Sequence, residues 1–368
     1  MHCSPRKAIC QAPTGDYNQA SNASLTGDFV LLKRWQLWIG LIVSAVCLYI
    51  ALRNLDLIEV WQTATDQPVR YLWLVPGVLV YFAGVWARTW RWDYMLRPMK
   101  QVPLRRLFPI VVIGYMGNNV YPARAGELIR AYVLRRREGV SVSAALATVI
   151  VERVFDGLVM LLFVFIGLPF FPSIPSDLQW TISLASLLFI GALLVFIVMA
   201  VRVEWAERVS GWFIQRLVPV RFRTPALGFV QRFLTGLHSL RSGRAVLMIF
   251  VTSIVIWLAE TIKYWFVMHA FDFSVPFYVL MLMNGIVNLA TTVPSAPGYV
   301  GTFDAPGIAI LVAFLGKDYQ NVAASYTLVL HAALWLPITL LGFYYMARYG
   351  ISWRDFGQAA RVDEGGRA

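Results

Sequence analysis

Charge is what this sequence has least of. Aspartate, glutamate, lysine and arginine make up 14% of its 368 residues and hydrophobic residues 58%, whereas a soluble domain carries roughly 25% charged residues. That shortage excludes an ordinary water-soluble fold. Cysteine is almost missing. Cys3 and Cys10 sit in a polar stretch and Cys47 in an apolar one, without metal-ligand spacing, so no disulfide framework is expected. No Gly-x-x-x-x-Gly-Lys-Ser/Thr segment occurs, which removes direct ATP drive through a phosphate-binding loop. Short alternating strands are lacking as well. Because hydrocarbon offers backbone N–H and C=O groups no partner, the apolar runs are then expected to be helices.

Six of those runs approach the roughly 20 residues needed to cross a bilayer. They are Trp35 to Leu52, Tyr71 to Thr89, Ser143 to Leu168, Leu178 to Val201, Ala245 to Phe271 and Asn321 to Ala347. A formal charge of +12 would suit nucleic acid, but the basic residues follow the spans, and no nucleic-acid partner is expected. Arg53, Arg70 and Lys317 fall on one side. Arg91 to Arg106, Arg135 to Arg137, Arg202 to Arg244 and Arg348 to Arg367 fall on the other, which the positive-inside rule makes cytoplasmic together with both termini, as in an inner or plasma membrane. The first run is too long and too far from Met1 for a cleaved signal and is expected to stay as an anchor. Residues 1–32 read as a disordered cytosolic tail and 33–347 as one membrane domain, with a C-terminal tail over 348–368. Within that domain, 202–244 reads as a basic amphipathic loop lying on an anionic leaflet. Trp35, Trp38, Trp86, Trp90, Trp92 and Trp180 read as interface anchors.

Two further apolar regions are broken. In 107–134 the break is Pro122, just after Asn118 and Asn119, and the fifteen residues before it make roughly 22 Å of helix, short of a bilayer. Arginines bound both ends, so this region is expected to be a re-entrant hairpin entering from the cytoplasm. In 277–316 the stretch from Pro294 through Gly298 to Gly301 forbids a continuous helix, and the flanking spans require entry from outside. Pro122-x-x-x-Gly126 and Pro294-x-x-x-Gly298 each precede a span that opens Ala-Ala-x-x-Thr. Ala144, Ala145 and Thr148 then match Ala323, Ala324 and Thr327, which sets Glu152 opposite His331. The expected fold is an all-α polytopic membrane protein with six full transmembrane helices and two re-entrant broken-helix hairpins of opposite orientation, the arrangement of inverted-repeat transporters.

The ionisable residues inside these segments need a reason, because charge in a membrane is costly and faces a bundle interior or water. Arg124, Glu127 and Arg130 recur every three residues along what reads as one helical face; they suit either an ion-paired helix closing the hairpin or a phosphate contact. Glu152, Arg153 and Asp156 lie inside one span, with Arg153 and Asp156 spaced to pair, and Arg124 or Lys263 is expected to neutralise the remainder. Glu260 and Lys263 are spaced to cancel each other. His331 reads as a hydrogen-bonded core histidine, and Asp304 as an N-cap.

The stretch Asn118-Asn119-Val120-Tyr121-Pro122-Ala123-Arg124-Ala125-Gly126-Glu127-Leu128-Ile129-Arg130, followed by Glu152-Arg153 and Asp156, resembles the lysylphosphatidylglycerol synthase transmembrane-region, or flippase-like, family. Pro294-Ser295-Ala296-Pro297-Gly298 to Asp304 is similar to that family's second motif, with Tyr299 where glycine is common and Asp304 where glutamate is. The resemblance runs from about residue 33 to 347. It implies a lipid-handling module of the kind that flips aminoacylated phosphatidylglycerol in multiple peptide resistance factor proteins; stand-alone members are linked with hopanoid or polyisoprenoid-linked lipids. Lysine transfer in the full-length synthases belongs to an additional soluble domain, so no lysyltransferase activity is expected here.

The function expected is transport or binding of an amphipathic lipid, without cofactor or metal. Arg124, Arg130 and Arg153 would attract its headgroup beside Asn118 and Asn119, with Glu127, Glu152 and Asp156 as balancing charges. Glu260, Lys263, Pro294, Gly298, Asp304 and His331 are secondary candidates. A separately encoded enzyme is the partner such a module would serve. The rival readings are a membrane glycosyltransferase with a polyisoprenoid-phosphate-sugar donor, using Asp56, Glu59 and Asp66, and a non-transporting scaffold.

Overall fold

The computed structural model describes residues 34–53, 57–65, 70–121, 124–168, 203–217, 243–293 and 295–351, with isolated positions between 187 and 230. The expected 1–32 tail, nearly all of the expected span Leu178 to Val201, both breaking prolines Pro122 and Pro294, about half of the 202–244 loop and the tail beyond Ile351 lie outside the described residues. Among the described residues all regular structure is helical.

In chain order these helices are α1 (Arg34–Leu52), α2 (Leu57–Thr65), α3 (Leu74–Leu96), α4 (Leu104–Val120), α5 (Gly126–Glu138), α6 (Val142–Gly167), α7 (Val203–Leu217), α8 (Gly243–Met268), α9 (Phe277–Ala290), α10 (Asp304–Leu315) and α11 (Gln320–Arg348). Among the described residues four segments are long and apolar enough to cross a membrane: Tyr71–Leu96, Gly243–Met268, Pro297–Leu315 and Lys317–Arg348. Helix α6 has the length, at 26 residues, but carries three ionisable groups.

Local chemistry sets the ends. Pro103 and Pro276 stand immediately before α4 and α9, where a missing N–H costs nothing. Glu127 lies in the first turn of α5 and Arg135, Arg136 and Arg137 in its last, each complementing the helix dipole, and Gly139 ends it at φ 71°. The Ser141 hydroxyl accepts the Ala144 N–H to start α6. At the C-terminal end of α5 Arg137 lies 4.5 Å over the Tyr349 ring and donates to the Tyr349 carbonyl, and partial burial raises that phenol above its ordinary range.

Packing follows an exchange pattern. Helix α3 lies against α8; α4 packs on α11 while α9 packs on α6; α4 pairs with α5 as α9 does with α10; and α5 meets α6 as α10 meets α11. Swapping the unit α3–α6 with the unit α8–α11 therefore maps each of these contacts onto another. Two apolar cores result, one around Trp92, Ile113, Met116 and Leu134 and completed by Ile249 and Ile338 from the other unit, the second around Tyr264, Met283, Leu311 and Tyr326. Ala144, Ala145 and Thr148 in α6 and Ala323, Ala324 and Thr327 in α11 are all buried, so the repeated Ala-Ala-x-x-Thr keeps two equivalent helices closely packed.

One expected boundary is corrected. The second run does not end at Thr89 but continues as helix to Leu96, which carries Arg91 and Trp92 into the core at 1% and 0% exposure. Arg91 is thus no solvated topogenic charge, and Trp92 no interface anchor: its indole donates to the Thr148 hydroxyl at 2.9 Å. Ion pairs with α6 offset the cost of burying the arginine.

Candidate functional site

Arg88 and Arg91 lie three residues apart on α3 and so share a face, which is turned toward α6 and α8. Arg91 donates to Asp156 Oδ1 and to the Ser253 hydroxyl, both at 2.6 Å. Arg88 donates to Glu260 at 2.9 Å and lies 3.8 Å from Asp156. The Trp257 indole N–H gives Asp156 a further hydrogen bond at 3.0 Å, and the Arg88 guanidinium rests 4.8 Å over the same ring. Asp156, 0% exposed, is the carboxylate on which the network converges.

The first broken region closes onto this core. Arg130 of α5 donates to Glu152 at 2.5 Å and stacks 4.2 Å over Trp92. Arg153 lies 3.2 Å from Glu127 and 3.8 Å from Asp156. Arg124 reaches Glu127 at 3.9 Å and the Thr291 hydroxyl, just past α9, at 3.3 Å. Glu260 and Lys263 pair within α8, as their spacing predicts.

Three expectations change here. Arg124 does not share a helical face with Glu127 and Arg130, because α5 begins only at Gly126 and Arg124 has a left-handed backbone at φ 55°. The charges of Glu152 and Asp156 are neutralised chiefly by Arg130, Arg91 and Arg88 rather than by Arg124 or Lys263. Asp304 does not cap α10; it is that helix's first residue and accepts the N–H of Gly301 at 2.9 Å instead.

Among the described residues only Arg124 and Tyr299 have positive φ without being glycine, a conformation that costs free energy and collects at functional sites. They face each other, with the Arg124 guanidinium 5.8 Å from the Tyr299 ring centre. The two broken regions thus meet at their strained residues. Asn119 strengthens the junction by donating to the Thr339 hydroxyl of α11 at 2.8 Å.

Between these elements lies a cavity of about 140 Å³. Arg88, Arg124, Arg153 and Lys263 line it together with Glu260, Asn118 and Asn119, and Tyr81, Tyr115 and Tyr299 provide hydroxyls. Of the sequence-derived candidates, Arg130, Glu152 and Asp156 stand behind this lining, where they hold it in place. Sequence reasoning missed Arg88, Arg91, Tyr81, Tyr115 and Trp257. The signal that could have found the arginines is their three-residue spacing on a run with no helix breaker before Leu96.

His331 and Asp304 form a separate unit beside the cavity. The imidazole Nδ1 lies 2.8 Å from Asp304 and Nε2 lies 2.7 Å from the Gly298 carbonyl, so both contacts are hydrogen bonds only when the pair retains its shared proton. Gly298 sits at φ 72° in the turn that presents Tyr299. Asp304→Ala and His331→Ala are each expected to lower stability by about 1–3 kcal/mol, and the double variant by less than the sum of the two, because either single change already breaks their shared contact. Thermal denaturation of the three purified variants checks this; additive losses would contradict it.

A multi-pass membrane protein, all-helical among its described residues, with a group of buried ionisable residues around a cavity between two broken regions is the class that this fold and site define. The profile of the lysylphosphatidylglycerol synthase transmembrane region matches residues 37–342, and the chain belongs to that family. A UPF0104 membrane protein of Methanothermobacter thermautotrophicus is 23% identical over 295 residues, covering 76% of this chain and 86% of the relative. The UPF0104 membrane protein MJ1595 of Methanocaldococcus jannaschii is 22% identical over 268 residues, 69% of this chain and 77% of that one. A protein named glycosyltransferase AglD, of Haloferax volcanii, is 24% identical over 357 residues, 86% of this chain but 56% of its own length. No solved structure matches.

Proposed function

We propose that this protein binds the headgroup of an anionic or zwitterionic membrane lipid in the cavity between its two broken regions and moves that lipid across the bilayer. The observation that carries the reading is the lining itself: Arg88, Arg124, Arg153 and Lys263 face one cavity with Glu260 as its one carboxylate neighbour in the lining. Positive charge withdrawn into an apolar bundle serves a ligand pathway when water or a counter-ion can reach it.

In this reading six helices span the membrane of the cell, both termini are cytoplasmic, and 107–134 and 277–316 enter from opposite sides. The packing exchange between α3–α6 and α8–α11 supports such an inverted repeat, as does the short length of α9, 14 residues or roughly 21 Å. The lipid tail stays in hydrocarbon while the hairpins rock to open the cavity alternately. Transport runs downhill or with a coupled ion, and a separate enzyme makes or uses the lipid.

Scrambling of fluorescent lipids in vesicles containing the purified protein tests this. Arg153→Ala, whose side chain is 31% exposed toward the cavity, is expected to slow transport by about tenfold or more, the scale of one lost charge-assisted contact. Leu340→Ala, on the outer surface, is expected to leave the rate unchanged. An unchanged rate in Arg153→Ala would remove the cavity from the mechanism. The name of the Haloferax relative favours a second reading as a glycosyltransferase acting on a lipid-linked sugar. Incorporation of sugar into an acceptor lipid by the purified protein, abolished by Asp56→Ala, is the result that would favour it.

A further inference from the structure

We infer that the cavity is matched to a group bearing two negative charges, a phosphomonoester or diphosphate, over singly charged phosphodiesters and over cationic headgroups. The inference rests on the reading of this cavity as a headgroup site and adds the charge of its ligand.

The ion pairs leave an imbalance on two opposite walls. On the α3–α8 wall, Arg88 and Lys263 share the single carboxylate of Glu260. On the wall formed by the first broken region and α6, Arg124 and Arg153 share the single carboxylate of Glu127. The deeper arginines do not alter this, because Arg91 is matched with Asp156 and Arg130 with Glu152. Asp304 is taken by His331. Asp93 and Glu138 are held away from the cavity by Arg97 and by Lys100 and Arg106. Arg88 and Arg153 each also lie 3.8 Å from Asp156, but Arg91 already pairs with that carboxylate, so each wall keeps one positive charge in excess beside a common space.

Burial makes that imbalance consequential. The side chains of Arg88 and Lys263 are only 7% and 4% exposed, so water screens them poorly. On the opposite wall Arg124 Nε is buried without a hydrogen bond, as are those of the deeper Arg91 and Arg130, whereas Arg153 Nε lies 3.2 Å from Glu127. A ligand in the cavity that accepts from Arg124 would supply the partner this buried donor lacks. A phosphoryl group with several acceptor oxygens and two charges satisfies both walls at once. A diester with one charge satisfies one wall. An amine finds four cations and two carboxylates already engaged.

The test measures binding by the full-length protein in nanodiscs, using native mass spectrometry and thermal shift. Lipids of matched acyl chains serve as probes: phosphatidic acid, phosphatidylglycerol and lysylphosphatidylglycerol, with inorganic phosphate and pyrophosphate as soluble probes. Phosphatidic acid is expected to bind about tenfold or more tighter than phosphatidylglycerol near pH 7. The gap narrows near pH 5, where a phosphomonoester with a second pKa of about 6 regains a proton. Lysylphosphatidylglycerol binds weakest. Arg124→Gln removes one excess charge at a partly exposed position and brings the two anionic lipids to nearly equal affinity, whereas Arg124→Lys keeps the preference. Equal binding of phosphatidic acid and phosphatidylglycerol to the unaltered protein, weakened alike by Arg153→Gln, overturns the double-charge inference and leaves a headgroup site standing. Lipid binding indifferent to both substitutions overturns the headgroup reading as well. Phosphate or pyrophosphate binding without phosphatidic acid binding overturns the lipid source.

Discussion

Asp156→Asn is expected to cost roughly 3–5 kcal/mol of stability, the effect of removing one partner from a buried ion network. The carboxylate accepts from Arg91 and from Trp257, with Arg88 and Arg153 each 3.8 Å away. An asparagine keeps the shape but removes the charge, which leaves Arg91 with the Ser253 hydroxyl and a distant Glu152 as its remaining partners. Thermal denaturation in detergent should show a large fall in melting temperature and loss of a monodisperse species. Adding Arg91→Gln should recover part of the loss, because the two groups are coupled and the double variant no longer buries an unmatched cation. An Asp156→Asn protein that melts within about 2 °C of the original would mean that the network does not hold α3, α6 and α8 together.

Gly126→Ala is expected to be comparably damaging, through shape alone. Gly126 opens α5 where it crosses α4, and an added Cβ would overlap the Gly114 carbonyl oxygen and lie 2.5 Å from the Asn118 nitrogen. Those are backbone atoms, so relief requires the two helices to separate. Separation would draw Arg130 from Glu152 and Arg124 from Thr291, and with them the first wall of the cavity. Lipid transport should fall with the folded fraction, by about tenfold or more, since overpacking costs ~1–3 kcal/mol or beyond where backbone must move. Gly84→Ala is the matched control: an added methyl there meets no atom of another element within 4 Å, and the helix should tolerate it.

Much of the fold was legible because hydrophobic length is a strong local signal. The runs that open at Tyr71, Ser143, Ala245 and Asn321 all became helices. Glu152, Arg153 and Asp156 stood out because charge inside such a run demands partners. The identity of those partners was not local. Arg91 carries the same sequence signature as a cytoplasmic anchor charge, and only the approach of α3 to α6 shows that it serves Asp156. Arg124 gave no sign of its left-handed backbone, since nothing in Ala-Arg-Ala requires it. Asp304 and His331 are 27 residues apart, and their pairing depends on α10 folding back along α11. The faint Pro-x-x-x-Gly and Ala-Ala-x-x-Thr correspondences were legible as pattern, and the exchange of packing partners between the two units gives that pattern a physical basis.

Photo-cross-linking with a lipid that carries a diazirine next to its phosphate, followed by peptide mapping, tests the central claim most directly. The account predicts adducts on Tyr115, Tyr299 and Trp335, which line the cavity. Adducts confined to outward-facing residues such as Leu336, Leu340 and Tyr344 would contradict it.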